Sequence, residues 1–217
     1  MSLKLKKPMK TYFLGSLILV AIVSITTTIV LNLTFIYPLV SYRYNLDDVT
    51  GLDHTTLFYN YRQIIHYLNF PWRATLYMPD FPMSATGEFH FWEVKVIFHV
   101  LHGIGLLFLG GLWLAYRQKK TLLPYFNVAA NLAFVLFGSM LFLILVNFEF
   151  TFYWFHRIFF NNDYWIFNAN VDPVIRALPQ ELFMIKGIVI IILILTVSVV
   201  SKLLYCKRKT RPSGPCS

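Results

Sequence analysis

His90 and Glu93 stand three residues apart in the segment Glu88-Phe89-His90-Phe91-Trp92-Glu93-Val94-Lys95. His156 stands beside Arg157 in a second segment, Phe155-His156-Arg157-Ile158-Phe159-Phe160-Asn161-Asn162-Asp163-Tyr164-Trp165. Imidazole is the side chain that most readily takes up or releases a proton near neutral pH. If a helix has begun by Glu88, the Glu93 carboxylate lies one turn from His90, where it orients the ring or stabilises its charged form. The second segment gathers a proton carrier, a fixed cation and the acceptors Asn162 and Asp163. That set suits an anionic headgroup or a developing oxyanion. The plainer reading of both histidines is structural, as residues anchored in lipid headgroups.

A third cluster, Lys95, His99 and His102, is spaced i, i+4 and i+7 and shares one helical face. Histidine ligates both haem and metals, so a redox site is one reading. No second apolar helix supplies a matching pair, which favours neutral rings bonded to Ser, Thr or Asn of neighbouring helices. Motifs for an enzyme nucleophile are missing: there is no Gly-x-Ser-x-Gly, no His-Glu-x-x-His and no glycine-rich phosphate loop. Chemistry in which the protein moves protons and positions reactants fits best, and nothing calls for a bound cofactor.

The elements that must position these groups are membrane helices. The 217 residues are 57% hydrophobic and 13% charged, against roughly 25% charged in a soluble domain. Four stretches, about 12–37, 94–116, 125–148 and 183–205, reach the roughly 20 apolar residues that a bilayer crossing needs. The first follows a basic run like that of a signal peptide, but it is too long and lacks a small-x-small cleavage site, so a retained span is expected. The chain therefore reads as an all-α integral membrane protein. It is a single membrane domain with four transmembrane helices and a small irregular or mixed extracytoplasmic portion, made of segments 38–93 and 149–182.

Charge sets the expected orientation. Lys4, Lys6, Lys7, Lys10, Arg117, Lys119, Lys120, Lys202, Lys207, Arg208, Lys209 and Arg211 fall on one side, and all ten acids fall on the other. The positive-inside rule makes the basic side, with both termini, cytoplasmic. These bases suit anionic lipid headgroups, and a nucleic-acid partner is a poor explanation for them. Cys206 and Cys216 fall on that reducing side, so no structural disulfide is expected. In segment 38–93, Leu57, Tyr61, Ile64, Ile65 and Leu68 repeat at helical spacing and predict a helix over 55–69, before Pro71, Pro79 and Pro82 break the chain. The dense aromatic residues of the outer segments read either as an interfacial belt or as the walls of a cleft open to lipid.

The arrangement resembles the lipoprotein intramolecular transacylase family, Lit, of Gram-positive bacteria. The matching pieces are Asn60-Tyr61 with Tyr67-Leu68, His90 at the start of the second span, the run from Phe155 to Trp165, and Asp172-Pro173 through Pro179 to Phe183. Around the first histidine the family pattern is Glu-x-x-His-x-x-Asp-Val, and this chain departs from it with Glu88 one residue closer to the histidine and Glu93 in place of Asp. The resemblance implies an outward-facing site that moves the sn-2 acyl chain of a diacylglyceryl lipoprotein onto the α-amine of its N-terminal cysteine. It implies that His90 and His156 are the catalytic pair and that diacylglyceryl lipoproteins are the partners. In that reaction Arg62, Arg73 or Arg157 would face the oxyanion, and Tyr61, Glu93, Asn162 and Asp163 would place the substrate. A haem or metal redox protein and a non-enzymatic scaffold are the competing readings.

Overall fold

The computed structural model describes residues 7–209, so Lys4, Lys6, Arg211 and Cys216 lie outside the described residues. Four helices are long and apolar enough to cross a bilayer: α1 (Lys7–Leu31), α5 (Ala85–Arg117), α6 (Leu123–Val146) and α9 (Gln180–Lys209). Within hydrocarbon a helix satisfies every backbone group internally, and these all-round apolar sequences have no other stable form there. α6 packs against α9 and α1, and α1 also meets α5 and α9. Small residues permit the close approach. A Cβ on Gly15 of α1 would lie 2.5 Å from Val128 Cγ1 of α6, and Ala129 and Ala133 of α6 are wholly enclosed. The hydroxyls of Ser24 and Ser198 are satisfied by carbonyls one turn back, both at 2.8 Å.

The apolar run expected to continue to residue 37 is broken. α1 stops at Leu31, and a separate helix, α2 (Ile36–Arg43), follows. The break is stabilised from α9, because Lys186 Nζ donates to the carbonyls of Val30 at 3.0 Å and Leu31 at 3.2 Å. The Val30 carbonyl also accepts from the Leu33 amide at 3.2 Å, so Lys186 adds to the bonds that close the end of the helix. Sequence spacing alone contains no sign of this lysine.

Above the bundle, where α1 and α6 end and α5 and α9 begin, lies a cap of short helices. It comprises α2, α3 (Leu46–Thr50), α4 (His54–Asn69), α7 (Phe148–Phe159) and α8 (Val174–Ala177), joined by irregular segments. The described residues contain no strand. Asp53 starts α4 by accepting from the amides of Thr55 and Thr56, at 2.9 and 3.1 Å. The apolar face predicted for α4 then buries Leu57, Tyr61, Ile64, Ile65 and Leu68. Tyr37 of α2 is fully enclosed, stacks on Tyr61 at 4.2 Å, and donates to the Ala177 carbonyl of α8 at 3.0 Å. The cap thus has its own core, which ties segment 38–93 to segment 149–182.

α5 has 33 residues, about 50 Å at 1.5 Å per residue, whereas the hydrocarbon core is about 30 Å thick. Its first turns, which carry His90 and Glu93, therefore stand above the apolar layer and enter the cap.

Candidate active site

His90 and His156 come from segments far apart in sequence, yet their ring centroids lie 6.0 Å apart. Both are buried, at 6% and 8% exposure. His90 sits in the second turn of α5. His156 is the single buried residue of α7, an amphipathic helix started by Asn147, whose side-chain oxygen accepts from the Phe150 amide at 2.9 Å. The other faces of α7 expose Phe150, Tyr153, Trp154, Ile158 and Phe159, the pattern of a helix lying in the membrane interface.

The environment of His156 fixes its protonation. Its Nδ1 is 2.8 Å from the Phe152 carbonyl, which can only accept, so Nδ1 carries the hydrogen and Nε2 presents a lone pair. Burial pushes its pKa below the ordinary histidine range, and the Phe152 bond opposes this only in part. The ring is held by Phe152 at 4.1 Å, by Trp165 stacked at 4.7 Å and by Phe160 at 5.6 Å. A neutral imidazole in an aromatic slot, with its free nitrogen fixed, is a proton acceptor waiting for a donor.

His90 has a different setting. Phe160 and Phe167 meet it edge-on, at 4.7 and 5.7 Å. Its Nδ1 is 3.9 Å from Glu93 Oε2, too far for a hydrogen bond. Both atoms are buried without a hydrogen-bond partner. The other carboxylate oxygen of Glu93 accepts from Asn162 Nδ2 at 2.8 Å, and the Asn162 carbonyl accepts from Trp165 Nε1 at 3.0 Å. Asn162 thereby joins the carboxylate beside His90 to the indole stacked on His156. His90 Nδ1 and Glu93 Oε2 thus remain the two unpaired polar atoms beside this chain of bonds. Leaving such groups unpaired costs about 1–3 kcal/mol each.

The remaining candidates divide. Arg157 forms an exposed ion pair with Asp163, Nη1 to Oδ1 2.7 Å. The pair lies at the exposed rim beside His156. Tyr61, expected to place substrate, is 5% exposed and packs between Tyr37 and Lys186 in the cap core. Burial, with Tyr37 adding, pushes its hydroxyl pKa upward and keeps it neutral. Arg62 is exposed on α4 beside Phe58, and Arg73 is exposed in the segment before α5, where its carbonyl accepts from Lys95 Nζ. Lys95 also lies 4.2 Å over the Tyr67 ring. The expectation that His99 and His102 bond to Ser, Thr or Asn is not met: Nε2 of each ring is buried without a hydrogen-bond partner. Among the described residues, no three His, Cys, Asp or Glu side chains converge as a metal set.

Sequence reasoning missed the role of Trp165. In a list of interfacial aromatics nothing distinguishes it, because its stacking on His156 depends on the turn after α7. Phe160 and Phe167 escaped for the same reason.

With this geometry in view, comparison with known proteins is informative. The sequence model of the family described as lipoprotein intramolecular transacylase Lit matches residues 12–183. The solved structure of the membrane integral lipoprotein intramolecular transacylase Lit from Bacillus cereus superposes with a TM-score of 0.82 at 27% identity, covering 94% of this chain and 96% of that one. Two single-histidine variants of the Bacillus cereus protein, one to arginine and one to alanine, match with TM-scores of 0.74 and 0.73 at the same identity. These cover 94% of this chain and 92% and 94% of theirs. No curated protein sequence matches significantly. The apolar helices, the paired imidazoles and a family match over most of the chain lead to one assignment: this multi-pass membrane protein belongs to the lipoprotein intramolecular transacylase Lit family and is an acyltransferase that acts on lipoproteins.

Proposed function

We propose that the protein moves the sn-2 acyl chain of a diacylglyceryl-modified lipoprotein onto the α-amine of its N-terminal cysteine, with His90 and His156 handling the substrate's protons. The observation that carries this reading is the pair of buried imidazoles, 6.0 Å apart. Nucleophile and ester belong to one substrate molecule, so the protein needs no nucleophile of its own. Its task is to hold the amine against the ester and to move a proton.

The α-ammonium, with a reference pKa of about 7.7–8.0, bridges His90 Nδ1 and Glu93 Oε2, which in this reading make up an amine niche, and donates to both. His156 Nε2 first takes the third hydrogen, and the lone pair this frees on the nitrogen then attacks the ester carbonyl carbon. The N–C bond forms, and a tetrahedral oxyanion develops. The C–O bond to the glycerol sn-2 oxygen then breaks, the imidazolium of His156 gives its proton to that oxygen, and the attacking nitrogen, which still carries two hydrogens, loses one to His90 Nδ1, which passes it to water. The ammonium substrate releases one proton overall, no electron is gained or lost, and the product is an isomer of the neutral amine form of the substrate. The aromatic walls exclude water, which would otherwise compete with the amine for the ester. The exposed apolar face of α7 lets the acyl chains remain in lipid while the headgroup enters the cap. We place the cap on the outer face, with both termini cytoplasmic, in keeping with the distribution of bases and acids.

The test is tandem mass spectrometry of the N-terminal lipopeptide, because intact mass cannot distinguish isomers. Wild type yields the N-acylated lyso form, and His90→Ala and His156→Ala, folded and extracted as wild type, yield none. Normal product from both variants overturns the assignment.

A further inference from the structure

We infer that Asp172 is a positioning residue, which sets the register of the two segments that carry His90 and His156; this rests on the transacylase reading above. The carboxylate is 5% exposed, and no described Lys, Arg or His forms an ion pair with it. It is held by one residue from 88 positions away: the Ser84 amide donates to Oδ1 at 2.7 Å and the Ser84 hydroxyl to Oδ2 at 2.9 Å. Ser84 is the N-cap of α5, and its Oγ in turn accepts from the Gly87 amide at 3.0 Å. The tie therefore grips the first turn of α5, one turn ahead of His90.

The other end of the tie leads to His156. Asp172 lies seven residues after Trp165, which stacks on His156, and five after Phe167, whose ring meets both His90 at 5.7 Å and Phe91 at 5.8 Å. The fit is close. A Cβ on Gly87 would lie 2.8 Å from Asp172 Oδ1, 2.9 Å from Met83 Cγ and 3.0 Å from Phe167 Cε1. The segment with Trp165, Phe167 and Asp172 is thus seated against the helix that carries His90, at a distance that only glycine allows. A carboxylate buried without a cation is costly unless hydrogen bonds and geometry compensate. Two charge-assisted bonds at the positive end of a 33-residue helix supply that compensation.

The experiment compares Asp172→Ala, Asp172→Asn and Gly87→Ala with wild type. It measures kcat and KM on a diacylglyceryl lipopeptide by tandem mass spectrometry, the pH dependence of kcat, and the melting temperature in detergent. Asp172→Ala cuts the tie, and Gly87→Ala wedges it open without altering a polar group. Each lowers kcat by about 10- to 100-fold, the scale of an ångström-sized misplacement of reacting groups. KM and the position of the acid limb stay at their wild-type values. Asp172→Asn, which keeps an oxygen for the Ser84 amide, recovers most of the rate. The inference is overturned if Asp172→Ala and Gly87→Ala both keep kcat within twofold of wild type, or if their losses match the unfolded fraction so that kcat per folded molecule is unchanged. His90→Ala is run alongside. If it forms normal product, the transacylase reading itself fails, whereas an inactive His90→Ala with fully active Asp172→Ala and Gly87→Ala sinks only the tie.

Discussion

Glu93→Gln separates charge from shape at the amine niche. Glutamine keeps an oxygen for the Asn162 bond, now 2.8 Å to Oε1, and so preserves the link to Trp165. What it removes is the negative charge at Oε2, the unpartnered atom 3.9 Å from His90 Nδ1. An ammonium and a carboxylate about 4 Å apart attract by about 4 kcal/mol at the effective dielectric of a protein surface. Desolvation offsets part of this, and a hydrogen bond to a charged group contributes about 1.5–3 kcal/mol net. At about 1.4 kcal/mol per decade, the variant loses about 10- to 150-fold in kcat/KM. The assay is initial rate against lipopeptide concentration at neutral pH, with product resolved by tandem mass spectrometry and the melting temperature measured in parallel. A Glu93→Gln enzyme that stays within twofold of wild type refutes the ammonium niche and leaves Glu93 as a mere partner for Asn162.

Two further expectations concern protons and the cap. Because burial lowers the pKa of His156, its ring takes up a proton at lower pH than an ordinary histidine, so the acid limb of the pH–kcat/KM profile is displaced to the acid side of the ordinary histidine value of about 6.5. If the ammonium form is what binds, the profile is level from there to about pH 7.7–8.0; a rise of tenfold per pH unit across that window instead means that the free amine binds. Tyr37→Phe removes the 3.0 Å bond to the Ala177 carbonyl inside a fully enclosed site and destabilises the cap by about 1–3 kcal/mol. Thermal melting in detergent measures this, and an unchanged midpoint would show that the α2–α8 link carries no stability.

The parts of this protein legible in the sequence are those fixed by solvent and by local spacing. A bilayer requires about 20 apolar residues per crossing whatever the neighbours are. The four helices α1, α5, α6 and α9 therefore announce themselves by composition alone. α4 is legible for a related reason: its period-3.6 apolar face and the cap at Asp53 are local properties. The residue types at the site were also visible, since few side chains besides histidine exchange protons near neutral pH.

Only the tertiary structure decided how those side chains are used. The 6.0 Å approach of His90 and His156 depends on how α7 and the segment after it fold back on α5, and no spacing within either segment encodes it. The same packing buries Tyr61 in the cap core, matches Arg157 with Asp163, and joins Glu93 through Asn162 to Trp165. Each of these contacts joins side chains whose positions follow from the packing of several elements. Sequence periodicity reports one element at a time. The membrane helices were written in hydropathy, while the site was written in the packing of the cap above them.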